Sequence, residues 1–348
     1  MLFHGFNVKL SRLVNTSKIS RKETVNLIKT SPEKIKLHFW GVRGSLPTPP
    51  DNQEIEDKIV DLLKKAARQD LSDDETIRKF IQSQPVYARG IIGGNTACVS
   101  IEADGKYIIL DAGTGLRKLG DLLMENEFAN GNGTAHIFLS HTHWDHISGF
   151  PFFRPAYVPG NQIYFYGCHN SLERRISYQQ EDEFFPVSIS AMAANIEFKR
   201  LKKEEAIKLD RIKISNSMLY HPGGSFGYRF EYRGKSVVYA TDSEYRDLYP
   251  DKMESFLGFI RDADILIFDA HFTIHESSEK ENWGHSTAIQ GVDFAVQAGV
   301  RHLLLFHHNP YYSDNQLVEL LENARSYAAQ FSDSLQISLA HEGLEINL

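Results

Sequence analysis

The feature that most constrains this chain is a short segment, Ser140 to His146, in which three histidines and one aspartate lie within six positions. The segment directly follows the apolar run Ala135 to Leu139, which has the length of a buried strand. In an extended or turning segment, alternation places the first two histidines side by side, while the aspartate and the third histidine can turn toward a second centre. Imidazole nitrogens and carboxylate oxygens are ligands that suit zinc, manganese and iron. The spacing therefore predicts a loop at a strand end that serves two metal ions.

The pattern formed by His141, His143, Asp145 and His146 matches the signature of the metallo-β-lactamase superfamily, and the resemblance continues from about Ile35 to the C-terminus. It implies an α/β fold of that family, an αββα sandwich in which two packed mixed sheets carry helices on their outer faces. It also implies a hydrolase whose four matching residues bind metal. The expected cofactors are two divalent metal ions, zinc in the first place, with manganese or iron as alternatives.

Further residues follow in the order that the resemblance implies. Asp111 resembles the family's early strand-end aspartate, which supports the metal-binding loop and is not expected to be a ligand. His221 resembles the next ligand, and Asp242 resembles the aspartate that bridges the two metals. The last ligand is expected at His307, with the adjacent His308 as the alternative. Because adjacent residues on a strand face opposite ways, only one of these two histidines can point at the metals.

The segment Trp283 to Ala288 indicates which reaction such a site would serve. With His307, its His285 resembles a conserved pair in the ribonuclease Z and cyclic-nucleotide phosphodiesterase branch, which favours phosphodiester substrates. Two metals would activate a bridging hydroxide as the nucleophile and would stabilise charge on the phosphate. Asp145 can orient this hydroxide while it binds one metal, and His285 can protonate the departing oxygen or stabilise the phosphate's negative charge.

Two glycine-containing segments, 40–45 and 93–96, resemble loops of phosphodiesterase-like members of the same branch. Their glycines permit close approach of the backbone to a ligand. Arg43 could pair with a phosphate oxygen and Asn95 could position the ester, so both are predicted substrate contacts. The alternative for Arg43 is an ordinary surface charge.

Two departures from ribonuclease Z bear on the substrate. The chain has Asp269-Ala270-His271 where those proteins carry Glu-Ala-Thr, and no flexible RNA-gripping arm is visible in the sequence. The net charge of −7 is also unlike the clustered basic surface of a nucleic-acid binder. We therefore predict a small-molecule phosphodiester such as a 3′,5′-cyclic nucleotide, with nucleic acid as a less favoured partner. The alternatives are a lactonase or thiolesterase on the same fold, an RNA-processing nuclease, and a non-catalytic metal-binding scaffold.

The remaining sequence predicts one catalytic domain at 35–348, preceded by a basic N-terminal extension at 1–34. Two series of short apolar runs after Gly93 indicate two half-domains of similar design. A helical insertion is expected at about 51–83, where Ser72 to Glu75 resembles a capping box.

No apolar run approaches the roughly 20 residues of a membrane-spanning helix, so no membrane partner is expected. Only two cysteines are present, which predicts a chain without a disulfide framework in the reducing cytoplasm. A second copy of the chain is a further candidate partner, in a homodimer.

Overall fold

The structure, a computed structural model, describes residues 34–69, 71–245 and 250–348. The chain divides into two units, and the described residues belong to the second, Glu33–Leu348. Apart from Lys34, the predicted basic extension therefore lies outside the described residues.

Two β-sheets form the centre of this unit. The strands, in chain order, are β1 (Lys36–Gly41), β2 (Cys98–Ala103), β3 (Lys106–Leu110), β4 (Thr134–Phe138), β5 (Gln162–Gly167), β6 (Asn195–Arg200), β7 (Ala206–Leu209), β8 (Ile212–Leu219), β9 (Ser225–Tyr232), β10 (Lys235–Ala240), β11 (Ile265–Asp269), β12 (His302–Phe306), β13 (Gln336–Leu339) and β14 (Glu345–Asn347). Within the described residues, one sheet has the order β14-β1-β2-β3-β4-β5-β6 and the other β13-β12-β11-β10-β9-β8-β7.

The two sheets share one design. In the first sheet the strands from β14 to β3 pair antiparallel, and the strands from β3 to β6 pair parallel. In the second sheet the strands from β7 to β10 pair antiparallel, and the strands from β10 to β13 pair parallel. The inner parallel strands β11 and β12 read as nearly continuous apolar runs because they are covered on both faces, whereas the edge strand β6 is largely exposed.

Helices cover the outer faces of the sheets and occupy some of the connections. They are α1 (Asn52–Ala66), α2 (Asp74–Ser83), α3 (Val86–Arg89), α4 (Leu116–Leu123), α5 (Trp144–Ile147), α6 (Leu172–Tyr178), α7 (Pro250–Ile260), α8 (Ile274–Glu279), α9 (Ala288–Gln297) and α10 (Asp314–Ala328). Helices α1 and α2 lie between β1 and β2, in the region of the expected insertion. Among the residues described, no helix has both the length and the apolar character needed to cross a membrane.

The start of α2 differs from the sequence prediction by one residue. The capping box is formed by Asp73 and Thr76, and not by Ser72 and Glu75. The Asp73 carboxylate accepts a hydrogen bond from the Thr76 N–H at 2.8 Å, and the Thr76 hydroxyl accepts one from the Asp73 N–H at 3.3 Å. Aspartate and threonine perform the same reciprocal capping as the expected pair, so the local sequence offered two neighbouring solutions.

The apolar core has one layer between the sheets and one layer outside each sheet. Between the sheets, the rings of Phe39 and Phe306 lie 6.2 Å apart, and those of Phe138 and Tyr228 lie 5.4 Å apart. Leucines of α4 pack in a separate cluster on the outer face of the first sheet, whereas α9 and α10 pack against β11, β12 and β13 of the second sheet. The predicted αββα sandwich is confirmed.

The pairing of the strands determines where polar side chains meet. The carboxyl ends of parallel strands lie at the same edge of a sheet, and loops at that edge form the usual ligand site of such sheets. In this chain Asp111 follows β3, the loop 140–146 follows β4, Asp242 follows β10, Asp269 ends β11 and His307 follows β12. Side chains from both sheets therefore converge at one end of the sandwich.

Candidate metal centre and active site

One group of metal-ligand atoms comes from His141, His143 and His221, whose ligand nitrogens all lie within 4.8 Å of one another. The His221 Nε2 atom is 3.1 Å from the His143 Nδ1 atom. The Nδ1 atom of His221 is engaged by the backbone carbonyl of Gly284 at 2.8 Å, which orients the ring. Three imidazole nitrogens thus face a common point, as a three-histidine metal position requires.

A second group comes from Asp145, His146, Asp242 and His307, and it too lies within 4.8 Å. The Nε2 atoms of His146 and His307 are 3.2 Å apart, and each lies 3.1 Å from Oδ2 of Asp145. The same two nitrogens are each 3.2 Å from Oδ2 of Asp242. The other Asp242 oxygen, Oδ1, lies 3.8 Å from the His141 Nε2 atom of the first group. Asp242 is therefore placed between the two groups, as a bridging carboxylate must be.

The donor set fits divalent cations. The Nε2 atom of His141 is buried and has no hydrogen-bond partner in the described residues, although it points into the cluster. A buried polar atom without a partner is rare in proteins and calls for a ligand. Two imidazole nitrogens and two carboxylate oxygens meeting at 3.1–3.2 Å likewise have more lone pairs than protons to share.

Protonation in the cluster also suits a cation. Burial lowers the pKa of His141 well below its ordinary value, and it lowers the pKa of His143 and His221, so these rings are neutral and can donate lone pairs. Burial opposes a charge on His146, but Asp145 and other nearby carboxylates outweigh it and raise the pKa of His146 well above its ordinary value. The carboxylates thus favour a positive charge at this point, which a divalent cation would supply.

Asp111 supports the loop through its hydrogen bonds and is not part of either group. Its buried carboxylate accepts hydrogen bonds from the Ser140 N–H, the Ser140 hydroxyl and the Tyr239 hydroxyl, each at 2.7 Å. It also lies 2.7 Å from Nδ1 of His146, which directs the Nε2 atom of that ring toward the cluster. Asp111 thus contacts the loop 140–146 at three points, and its supporting role in metal binding stays a prediction.

Of the two adjacent histidines after β12, only His307 reaches the cluster. The His308 Nε2 atom instead lies 2.7 Å from the carbonyl oxygen of Ala340, and burial lowers the pKa of His308 to about 3. The His307 ring packs directly against Gly44, where an added Cβ would meet ring atoms at 2.3 Å. The loop that contains Gly44 therefore holds the ring in place and tolerates no side chain there.

His285 lies beside these two groups and also belongs to two further candidate metal-ligand groups, one with Asp269, His271 and His307 and one with His221 and Asp242. Its ring is oriented by Asp269, a residue that the sequence analysis did not assign. Its Nδ1 atom is 2.8 Å from Oδ2 of Asp269, and 4.0 Å from Oδ1 of Asp242. The His271 ring stacks on the His285 ring at 4.3 Å, and its Nδ1 atom donates to the His307 carbonyl oxygen at 2.9 Å. Burial opposes a charge on His285, but Asp269, together with Asp242 and Asp145, outweighs burial and raises the pKa of His285. The one signal for Asp269 in the sequence was its position at the end of the apolar strand β11. Along the chain, β11 lies between β10, which precedes Asp242, and β12, which precedes His307.

The prediction for Arg43 was wrong, because its guanidinium is buried and fully engaged within the protein. It donates to the carbonyl oxygens of Gly93 at 2.8 Å, Asn309 at 3.0 Å and Tyr312 at 2.8 Å, and it lies 3.6 Å from the Asp314 carboxylate. With only 4% of its surface exposed, this side chain cannot reach a substrate phosphate.

The prediction for Asn95 needs the same correction. Its amide nitrogen lies 3.0 Å from both carboxylate oxygens of Glu342, and Oε1 of this carboxylate also accepts the backbone N–H groups of Gly94 and Asn95. The loop 40–45 acts on the site through its backbone instead, because the Ser45 N–H donates to Oδ2 of Asp145 at 2.7 Å. The loop 40–45 thus holds the Asp145 carboxylate, and the side chains of Arg43 and Asn95 are engaged within the protein.

The segment between His221 and Asp242 contains β9 and β10, which pair directly with their neighbours. The connections from β8 to β9 and from β9 to β10 are short, so within the described residues this segment carries no RNA-gripping arm.

Comparisons with known proteins identify the family and the fold of this chain. A family model described as the beta-lactamase superfamily domain matches residues 106–308. The ribonuclease Z of Haloarcula marismortui is 25% identical over 292 residues, which cover 72% of this chain and 90% of that protein. Two solved structures share the fold with a TM-score of 0.60 and cover 91% of this chain and 100% of theirs: the metallo-beta-lactamase fold protein YhfI from Bacillus subtilis, 17% identical, and unliganded yeast PDE1, 14% identical. The chain therefore belongs to the metallo-β-lactamase superfamily and is a metal-dependent hydrolase.

Proposed function

We propose that this protein hydrolyses phosphodiesters with the aid of two divalent metal ions, zinc being our first choice. The observation that carries the proposal is the hydrogen-bonded pair of His285 and Asp269, placed beside the two groups of metal ligands. The ligands would be His141, His143 and His221 in one group and Asp145, His146, Asp242 and His307 in the other, with Asp242 shared between them. When bound, two metals would lower the pKa of a water and neutralise charge on the phosphate.

The side chains around the centre would perform the remaining steps. Asp145, whose Oδ2 atom is fixed by the Ser45 N–H at 2.7 Å, would orient the attacking water. Asp269 accepts the Nδ1 proton of His285, so that the other ring nitrogen is available to the substrate. His285 would then give a proton to the departing oxygen, and Asp269 would stabilise the charged form of the ring. Asp269 is thus a positioning residue for His285.

A second candidate substrate class is RNA. It is favoured by the curated relatives, which include ribonuclease Z of Haloarcula marismortui and of Picrophilus torridus. The phosphodiester bond is common to both candidate classes, so it is the first point to test.

The first experiment uses metal-loaded protein with bis(p-nitrophenyl) phosphate. We expect release of p-nitrophenol that stops when a chelator is added and returns when zinc is restored. If the metal-loaded protein hydrolyses neither this compound nor any other phosphodiester while it cleaves lactones or thioesters, the proposal is wrong.

The role of His285 is tested with two leaving groups. The His285→Ala variant should retain its metal content but lose about 10²–10⁴-fold in kcat for a diester with a sugar-hydroxyl leaving group. The loss should be much smaller for p-nitrophenolate, which departs without a proton. Asp269→Asn should also lower kcat more for the sugar-hydroxyl leaving group than for p-nitrophenolate, but both losses should be smaller than those of His285→Ala. The matched control is His275→Ala, because His275 is 83% exposed on α8 and should leave both rates unchanged. Equal losses for the two leaving groups would remove His285 from proton transfer.

A further inference from the structure

Two recesses open beside the metal centre and share Asn170 and Arg175 in their linings. Their volumes are about 810 and 850 Å³, within the usual range for sites that bind small molecules. The first recess begins at the metal-binding loop itself, because Trp144 and Thr142 form part of its wall. The second reaches the centre at Gly223, where an added Cβ would lie 3.8 Å from Nε2 of His143. Both recesses therefore adjoin the place where the reaction is proposed to occur.

The first recess is lined by aromatic side chains that the protein leaves in solvent. Trp144 is 80% exposed, although it lies between the ligands His143 and Asp145 in the chain. Tyr178 and Phe184 are 50% and 60% exposed, and their rings lie 5.3 Å apart. Clustered exposed aromatic side chains mark binding surfaces, and a flat ring stacks well on a tryptophan.

The charged side chains in the recess walls are basic. Five basic residues line the two recesses, and no aspartate or glutamate does so within the described residues; the five are Arg174, Arg175, Arg200, Lys202 and Lys203. This contrasts with the net charge of −7 for the whole chain. The guanidinium of Arg175 donates to the Thr142 hydroxyl at 3.0 Å, which holds one of these charges against the metal-binding loop. Such a local field attracts an anion.

We propose that these recesses form a subsite for a nucleotide unit beyond the scissile phosphodiester, with its base stacked on Trp144 and its further phosphate paired with Arg174 and Arg175. Stacking on an aromatic side chain accepts any base, and the guanidinium fork matches phosphate geometry. The inference rests on the proposed phosphodiesterase function and names its substrate class as a dinucleotide or short oligonucleotide. A cyclic mononucleotide has no second phosphate and would leave the arginines unused.

The kinetic test compares two substrates of metal-loaded protein that release the same p-nitrophenolate. One is thymidine 5′-(p-nitrophenyl phosphate) carrying a 3′-phosphate, and the other is methyl p-nitrophenyl phosphate. The measured quantity is the ratio of their kcat/KM values. We expect Trp144→Ala to lower this ratio about 10-fold or more, the effect of losing one base stack, and Trp144→Phe to retain most of it. The paired change of Arg174→Gln and Arg175→Gln should also lower the ratio. The matched control is Phe331→Ala, which removes a ring that is 59% exposed but lines neither recess.

A binding measurement separates this inference from the proposed reaction. Thymidine 3′,5′-bisphosphate is not a diester, so its affinity for metal-loaded protein can be measured by titration calorimetry without turnover. We expect Trp144→Ala to raise its Kd about 10-fold, with partial rescue by Trp144→Phe. If this holds while no phosphodiester is hydrolysed, the subsite stands and the proposed function fails. If diesters are hydrolysed but both the ratio and the Kd are unaffected by the Trp144 and arginine variants, the subsite is wrong. An equal loss for both substrates in Trp144→Ala, with an unchanged Kd, would also overturn it.

Discussion

Three residues at the centre adopt a backbone conformation that residues other than glycine seldom take. Asp111, Asp242 and His307 have φ angles of 58°, 54° and 59°. Such left-handed positions cost energy and persist where the surroundings determine them, which is common at active sites. Each of the three comes within two residues of a strand end, where the unusual turn directs the side chain toward the cluster. At the scale of single residues, the metal centre is therefore built with local strain that buried hydrogen bonds offset.

Arg43 shows how the surrounding loops contribute to stability. Replacing it with methionine should destabilise the protein by about 3–5 kcal/mol, because three buried carbonyl oxygens and the Asp314 carboxylate lose their shared partner. Urea denaturation followed by circular dichroism measures this change. As a control, Arg154→Met removes an arginine that is 60% exposed and pairs with Asp121, and it should cost less than about 1 kcal/mol. A variant of Arg43 that kept its stability and lost only substrate affinity would restore the original prediction of a phosphate contact.

His136 gives stability a pH dependence that does not involve the metal centre. Burial, aided by Lys106 and Lys199, lowers the pKa of His136 to about 4, while Asp210 acts weakly in the opposite direction. In the unfolded chain this histidine takes up a proton near pH 6.5, whereas the folded protein resists protonation until about pH 4. As the pH falls from 6.5 toward 4, the unfolded chain therefore gains a proton that the folded protein does not bind, and the free energy of unfolding decreases. Above pH 6.5 this decrease is absent.

The corresponding variant is His136→Phe, which cannot titrate. Between pH 6.5 and pH 4, the free energy of unfolding should fall by about 2 kcal/mol more in the native protein than in the variant, after allowance for solvent screening. Urea denaturation at a series of pH values provides the comparison. Parallel stability curves for the two proteins over this range would show that His136 is not held neutral by the fold.

At the scale of elements, helix α9 connects stability to the active site. Thr287 caps this helix in a reciprocal capping box with Gln290, and it directly follows the segment that carries His285. Thr287→Ala should cost about 1 kcal/mol and should also lower kcat, because the segment before the cap loses its anchor. Ser313 caps α10 with Gln316 in the same way but does not adjoin His285, so Ser313→Ala is the matched control. Both variants should unfold at similar urea concentrations, and only Thr287→Ala should affect the reaction. Identical kinetics would show that the cap serves the helix alone.

The elements were predictable from the sequence where their signals are local. The loop 140–146 was recognisable because its proposed ligand residues lie within six positions, and the apolar runs before it and before His307 identified the strands. The roles of Arg43 and Asn95 were not recognisable, since their partners Asn309 and Glu342 lie 266 and 247 residues away in the chain. A polar residue in a glycine-rich loop looks the same whether it faces a substrate or a distant carbonyl group. Only the folded arrangement of the sheets could decide between these cases.

Helix α1 shows a related limit of pattern reading. Its apolar positions recur with helical spacing, which normally indicates a face that packs against the core. In the structure, however, Ile59 and Leu63 are 51% and 63% exposed. Helical periodicity therefore predicted the element correctly without predicting what covers it.

At the scale of the whole molecule, the metal centre joins the two halves of the sandwich. The loop after β4 of the first sheet supplies His141, His143, Asp145 and His146. The second sheet supplies the remaining proposed ligands, His221 after β8, Asp242 after β10 and His307 after β12. Cations bound between these groups would connect the sheets at one end, so metal binding and folding should be thermodynamically linked.

This linkage predicts that metal removal lowers the stability of the entire protein. A ligand present at about 1,000 times its Kd stabilises the folded state by about 4 kcal/mol, so a chelator should lower the Tm by roughly 5–10 °C. Scanning calorimetry with zinc, with chelator, and with zinc restored would measure the effect and its reversal. His141→Ala should weaken the response because it removes a proposed ligand nitrogen that has no hydrogen-bond partner among the described residues, whereas His275→Ala should respond like the native protein. An unchanged Tm in chelator would mean that the sheets are held together without the cations, and that the clustered side chains are stable by their mutual hydrogen bonds alone.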